Sequence, residues 1–243
     1  MKDRAVVLLS GGMDSSTALY WAAARPNTEV VAIAHFDYGQ LGADYEANAA
    51  LMVMGSLASE LGHVIPFQAI KIDGYGLEAI TSDVTDLRPG VTDKYGNPSS
   101  FVPGRNLFQL ARTLPLLYKY DAHMLVGGWV EQDVEYPDCR QDFLEAFADT
   151  AVLALGGFEV TIAHPLITLT KAEIVELGRD LGVPWEHTRS CYRNDEQACG
   201  TCDSCLLRAA AFWANDMHDP AYDLDGMRRV VSRCIDAGYI EAE

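Results

Sequence analysis

Three sets of residues in this chain have the types and spacing that chemistry requires. The first is Leu9-Ser10-Gly11-Gly12-Met13-Asp14-Ser15-Ser16-Thr17. Two glycines let the backbone approach a ligand closely, and free N–H groups in the following helical turn favour an anion. Ser10, Ser15, Ser16 and Thr17 add hydroxyl donors, and Asp14 could hold Mg²⁺ against phosphate oxygens. No G-x-x-x-x-G-K-[ST] sequence occurs and no lysine follows the glycines, so this is not a Walker A loop. A tight strand-to-helix turn with a Ser/Asp cap and no ligand is the alternative.

The second set is Cys191, Cys199, Cys202 and Cys205, spaced C-x7-C-x2-C-x2-C. Four soft thiolates in a short polar loop suit tetrahedral Zn²⁺ with no open position, a structural site. The same spacing also suits an iron–sulfur cluster, and unliganded core cysteines are the third possibility. Disulfides are not expected in a cytosolic chain.

The third set is dispersed. Arg105, in Phe101-Val102-Pro103-Gly104-Arg105-Asn106, could grip a phosphate or carboxylate in bidentate fashion, or close a salt bridge at a helix start. Lys171 follows Thr170 at a helix N-terminus, where the dipole disfavours a cation unless an anion lies nearby. The Asp138-Cys139-Arg140 triplet could address a purine-like ring and its carboxylate. Cys139 could equally be a small buried filler, and no partner that would activate it as a nucleophile is legible. No G-x-S-x-G, H-E-x-x-H or G-x-G-x-x-G motif is present.

The elements that must position these groups alternate. Apolar runs at Ala5–Leu9, Val30–Phe36, His63–Ile70, His123–Val126 and Val160–Ala163 read as strands. Pro66 moves the third of them toward an edge. Helices are expected over Thr17–Ala24, over Ala43–Leu61 with Gly62 as its cap, from Asn106 to about Tyr120, and from Arg140 to about Leu155. A last one begins at the Thr170–Glu173 capping box and ends at Gly182. Asp37-Tyr38-Gly39-Gln40 and Gly127-Gly128 are turns at carboxyl ends of strands, where ligands sit in open sheets. From Asp73 to Ser100 the periodicity disappears, as in a lid or a disordered segment. The alternation predicts an α/β doubly wound parallel sheet over residues 1–184, followed by a cysteine-bearing cap with terminal helices over 185–243.

The 243 residues and 49% hydrophobic content suit one sizeable α/β domain with an appendage. No apolar run is long enough to span a membrane, and Met1-Lys2-Asp3-Arg4 leads straight into a strand, so a cytoplasmic location is expected. A net charge of −17 argues against tight nonspecific binding of nucleic acid, which relies on Lys and Arg.

Ser10-Gly11-Gly12-x-Asp14-Ser15 resembles the signature of the PP-loop ATP pyrophosphatase superfamily, whose members split ATP into AMP and pyrophosphate. Five further motifs follow in order: Phe36-Asp37-Tyr38-Gly39-Gln40, Phe101–Asn106, Tyr136-Pro137-Asp138-Cys139-Arg140, Leu169–Ile174, and Ser190-Cys191-Tyr192 with Ala198–Cys205. Together, from about residue 5 to 212, they resemble the 7-cyano-7-deazaguanine synthase (QueC) family. The resemblance implies an adenine nucleotide alpha hydrolase-like fold with a small zinc-binding helical region at its C-terminal end. It implies ATP-dependent conversion of 7-carboxy-7-deazaguanine and ammonia to the nitrile, through an adenylated carboxylate and an amide. Mg²⁺, a structural Zn²⁺ on Cys191, Cys199, Cys202 and Cys205, and a homodimer are implied as well.

By the same resemblance, Ser10, Asp14, Ser15 and Lys171 are the catalytic candidates. Leu8, Ser10, Gly11, Gly12, Met13, Asp14, Ser15, Ser16, Phe36 and Gly127 would hold ATP. Gly104, Arg105, Asn106, Tyr136, Asp138, Cys139 and Arg140 would hold the substrate. The chain departs from the family at Leu41-Gly42-Ala43-Asp44, where basic residues are usual, and at Val134-Glu135, where a small Ser-Gly pair is usual. A tRNA-thiolating or other amide-forming PP-loop enzyme is the rival reading, and a noncatalytic nucleotide-binding protein is another.

Overall fold

The computed structural model describes residues 2–72, 82–86, 95–131 and 136–241. Five strands form one parallel sheet: β1 (Asp3–Leu8), β2 (Thr28–Asp37), β3 (Phe67–Lys71), β4 (Met124–Val126) and β5 (Thr161–Ala163), in the order β3-β2-β1-β4-β5. Helices in each strand-to-strand connection return the chain to the starting end of the sheet, as parallel pairing demands. The order reverses at β1, between β2 and β4. A crevice therefore opens at the carboxyl ends of β1 and β4, the place where open α/β sheets bind ligands.

The helices fall on both faces. α1 (Met13–Ala24), α2 (Ala43–Leu61) and α6 (Lys171–Asp180) pack Leu19, Val53 and Ile174 into one core with Val7 and Ile33. α4 (Arg105–Lys119) and α5 (Gln141–Ala154) pack Leu110, Leu117 and Leu144 into the other, against Val6 and Leu125. Alternate residues of β1 thus face opposite cores, and the near-continuous apolar strands of the sequence follow from burial on both faces. α3 (Asp83–Asp86) is a single turn. α7 (Asp203–Ala214) and α8 (Leu224–Asp236) add Phe212 and Val230 to the α1-side core.

Local signals set several boundaries. α2 runs from Ala43 to Leu61, and Gly62 ends it in the left-handed conformation, φ +72°. At α6, Thr170 Oγ1 accepts from Glu173 N, and the Glu173 carboxylate accepts from Thr170 N at 2.8 Å, so the capping box is formed. Two expectations shift. α1 begins at Met13, four residues earlier than its apolar run, because Ser16 N donates to Gly12 O and closes the first turn over the glycines. β3 begins after Pro66, at the sheet edge, and the Pro66 carbonyl accepts from Ile33 N. Most of the irregular 73–100 stretch, and Val134-Glu135, lie outside the described residues.

Candidate active site and cysteine cluster

The loop after β1 is held by close backbone approaches that only glycine allows. Gly11 has φ +87°, and a Cβ there would sit 2.6 Å from Ala50 N and 2.7 Å from Glu46 O, so the loop lies directly on the first turns of α2. Gly128, just past β4, packs against the start of α1: a Cβ would fall 2.6 Å from the Asp14 carbonyl carbon. The glycine loop after β1 and the Gly127-Gly128 turn after β4 are thus pressed together across the switch point.

Hydroxyls organise the loop. Ser15 Oγ accepts from Ser10 N at 3.2 Å and lies 3.0 Å from Ser10 Oγ, which in turn accepts from Gly12 N. Lys171 Nζ donates to Asp14 Oδ2 at 3.0 Å, joining the first turns of α1 and α6. Asp14 Oδ1 is buried and has no hydrogen-bond partner among the described residues. A buried carboxylate oxygen lacking a donor is costly, and a cation or a ligand donor there would satisfy it.

These groups open into a cavity of about 280 Å³. From the loop it is lined by Leu8, Ser10, Gly12, Met13, Asp14 and Ser15, from neighbouring strand ends by Phe36 and Gly127, and from α6 by Lys171. Arg105, Asn106, Tyr136 and Cys139 close the opposite wall. Gly11 and Ser16 are buried and do not line it; Ser16 Oγ, like Asp14 Oδ1, has no partner among the described residues.

The α4 wall is built by long-range contacts. Asp138 Oδ2 accepts from Asn106 N at 3.0 Å, and Asn106 Nδ2 donates to the Asp138 carbonyl and to Cys139 Sγ. The turn Pro137–Cys139 therefore caps the start of α4, placing an anion at a helix N-terminus. Gly104, φ +71°, brings the chain into that helix. The Arg105 guanidinium lies 5.6 Å over the Tyr136 ring, and Tyr136 Oη is 2.5 Å from Ser100 Oγ. Arg140 is exposed at the start of α5 and does not line the cavity.

Burial pushes the Cys139 thiol up to about 11 and the Tyr38 hydroxyl up to about 12, with Arg105 opposing both. Cys139 is therefore a protonated thiol at neutral pH, poorly suited to attack.

Several lining residues lie outside the binding and catalytic candidates drawn from the sequence, although Tyr38 and Tyr192 fall within its motifs. Tyr38, Glu46, Trp129, Arg189 and Tyr192 all face the cavity. Arg189 N donates to Gly11 O at 2.8 Å, while its guanidinium holds the Arg193, Asp195 and Glu196 carbonyls and lies over Tyr45. The same residue supports the glycine loop and the cysteine loop. The Asp37–Gln40 turn announced Tyr38; nothing local announced Glu46 or Arg189.

The four cysteine sulfurs all lie within 4.8 Å of one another, and Cys199 Sγ is 3.8 Å from Cys205 Sγ. Cys199 Sγ accepts from Thr201 N and Cys202 N, and Cys191 Sγ from Cys199 N. Cys202 is the N-cap of α7 and Cys205 lies in its first turn. The set can bind a metal ion.

Residues 4–216 match the family model described as queuosine biosynthesis protein QueC. The chain is 36% identical over 219 residues to the 7-cyano-7-deazaguanine synthase of Methanosphaerula palustris, covering 89% of this chain and 97% of that protein. It is 40% identical over 227 residues to the enzyme of that name from Nostoc punctiforme, covering 89% and 98%. Against the Nitratiruptor sp. protein of the same name the identity is 38% over 214 residues, covering 86% and 93%. The match spans the glycine loop, the Arg105 wall and all four cysteines, so this chain belongs to the QueC family.

Proposed function

We propose that this protein is an ATP-dependent carbon–nitrogen ligase that converts 7-carboxy-7-deazaguanine and ammonia into 7-cyano-7-deazaguanine, a precursor in queuosine biosynthesis. The observation that carries this reading is the convergence of the glycine loop, the Asp14–Lys171 pair and Arg105 on one cavity, in a chain whose relatives bear that name.

A carboxylate is a poor electrophile at neutral pH. In the first step a substrate carboxylate oxygen attacks the α-phosphorus of ATP, and the bond to the β-phosphate breaks. Ser10, Ser15 and the N–H groups at the start of α1 stabilise the negative charge on departing pyrophosphate, as fixed donors do in nucleotidyl transfer. Ammonia then adds to the acyl carbon; AMP leaves with the C–O electron pair and a proton is lost, giving the amide. A second adenylylation, on the amide oxygen, lets AMP and the remaining protons depart to leave the nitrile. In this reading Lys171, held by Asp14, balances charge on the α-phosphate, and Arg105 orients the substrate carboxylate.

Asp14 Oδ1 would hold Mg²⁺, which would neutralise charge on phosphate oxygens. Cys191, Cys199, Cys202 and Cys205 would hold Zn²⁺, which cross-links the loop. Zn–S bonds of about 2.3 Å place tetrahedral sulfurs roughly 3.8 Å apart, consistent with separations below 4.8 Å. A four-iron cube bonds each cysteine to a different iron and needs its sulfurs farther apart. The same reading includes a cytoplasmic homodimer, with residues 1–184 as the nucleotide-binding part and 185–243 as the metal-binding helical part. Among the described residues, no helix is long and apolar enough to cross a membrane.

The test is mass spectrometry of products from purified protein, ATP, Mg²⁺, ammonium and 7-carboxy-7-deazaguanine. Nitrile with AMP is expected; AMP formation without amide or nitrile would overturn the assignment.

A further inference from the structure

Glu46, in the first turn of α2, is a carboxylate without the company such a group normally keeps. It lines the cavity and is largely withdrawn from solvent, and that desolvation pushes its carboxyl above the usual carboxylate range. The Gln40 hydrogen bond first, and more weakly the Arg105 and Arg189 charges, oppose the rise, yet among the described residues neither arginine forms an ion pair with it. One oxygen is fixed: Gln40 Nε2 donates to Glu46 Oε2 at 2.9 Å. Gln40 is itself fully committed, accepting from Tyr38 N and donating to the Phe36 carbonyl. The carboxylate is thus clamped by a side chain that has no freedom to turn, while Oε1 has no hydrogen bond among the described residues.

A clamped, desolvated carboxylate with one oxygen unspoken for is a receptor for paired N–H donors. α2 lies on the opposite face of the sheet from α4, so Glu46 and Arg105 approach the cavity from opposite walls. A ligand that bridges them needs an anionic group at one end and neighbouring N–H donors at the other. A deazaguanine carboxylate is such a molecule: its carboxyl is on the five-membered ring, and the ring N–H and 2-amino group are on the far edge of the six-membered ring.

We propose that Glu46 recognises this guanine-type edge, accepting from the ring N–H and the 2-amino group, and so sets the choice of base. The inference rests on the deazapurine reading of the cavity. Gln40 is then a positioning residue, since it acts through Glu46.

The experiment is calorimetric binding of 7-carboxy-7-deazaguanine, and of the analogue lacking only the 2-amino group, to the full chain with a nonhydrolysable ATP analogue present. The wild type should prefer the 2-amino compound by about 10- to 100-fold, the scale for leaving a buried polar group unpaired. Glu46→Gln, whose amide presents a donor, should compress the preference to about threefold or less, with affinity for the ATP analogue unchanged. Glu46→Asp, which keeps the charge but shortens the reach, should fall between. Undiminished discrimination in Glu46→Gln would overturn the proposal. So would an equal loss of ATP-analogue binding, the mark of a purely structural role. Binding of neither base by the wild type would reject the deazapurine reading itself, and the Glu46 assignment with it.

Discussion

Lys171 Nζ lies 3.0 Å from Asp14 Oδ2, across a sequence separation of 157 residues. Both sit in first helical turns. The α1 dipole favours Asp14 there, while the α6 dipole disfavours Lys171, so the pair offsets a misplaced cation with a well-placed anion. Bound phosphate would add a second anion on the same ammonium. Asp14→Ala and Lys171→Met should each lower the rate of AMP formation by about 10²–10³, the scale for losing one preorganised charge or donor, and leave the folded state intact. Pyrophosphate release and far-UV circular dichroism check both halves; full activity in either variant would remove that residue from the site.

Gly128→Ala tests the contact between the β4 turn and the glycine loop. Its Cβ would fall 2.6 Å from the Asp14 carbonyl carbon and 2.7 Å from Ser15 N, both backbone atoms that cannot swing aside. Overpacking of this kind costs about 1–3 kcal/mol. ATP affinity should fall by about tenfold or more as the loop shifts, measurable by calorimetry with the nonhydrolysable analogue.

Cys199→Ser tests the metal assignment. Cys199 Sγ is the acceptor for two backbone N–H groups and is 3.8 Å from Cys205 Sγ. Elemental analysis should find about one zinc per wild-type chain and little in the variant. The melting temperature should fall by roughly 10 °C, the shift that about 3–4 kcal/mol produces in a chain of this size. Unchanged metal content would refute the assignment.

Arg208 and Asp219 form a buried ion pair, with Nε and Nη2 donating to the carboxylate at 2.9–3.0 Å and Nη1 to Thr188 Oγ1 at 2.7 Å. Their side chains are 3% and 0% exposed. Arg208→Met leaves Asp219 as an uncompensated buried charge and should cost about 3–5 kcal/mol, whereas the double variant Arg208→Met with Asp219→Asn should recover part of that loss. Urea unfolding of the three proteins decides it; a double variant weaker than the single would contradict the argument.

The buried thiol gives an alkaline prediction. Cys139 keeps its proton up to about 11 in the folded state, against 9.0 for the ordinary thiol. Between those values the folded chain binds more protons than the unfolded chain, so this contribution is fully present below pH 9.0 and is lost as pH rises through about 11. Cys139→Ala should flatten that part of the stability profile, read from urea midpoints on either side of the window.

The sequence by itself determined what depends on neighbours along the chain. The glycine loop, the Ala43–Leu61 helix with its Gly62 cap, the Thr170–Glu173 capping box and the clustered cysteines are all short-range patterns, where a backbone conformation or a ligand set is specified within a few residues. The apolar runs likewise announced a sheet buried on both faces. The tertiary structure alone decided which distant groups meet. Lys171 reaches Asp14, Asp138 caps the helix begun by Arg105, and Arg189 supports Gly11, each contact spanning tens of residues or more. Glu46 shows the difference most directly. In sequence it is one acidic residue among many near a helix start, where the dipole alone explains it. Only the fold turns it toward a shared cavity, withdraws it from water and fixes one of its oxygens on Gln40. Periodicity records which face of an element is buried; it carries no record of what stands opposite a polar group once the elements have packed.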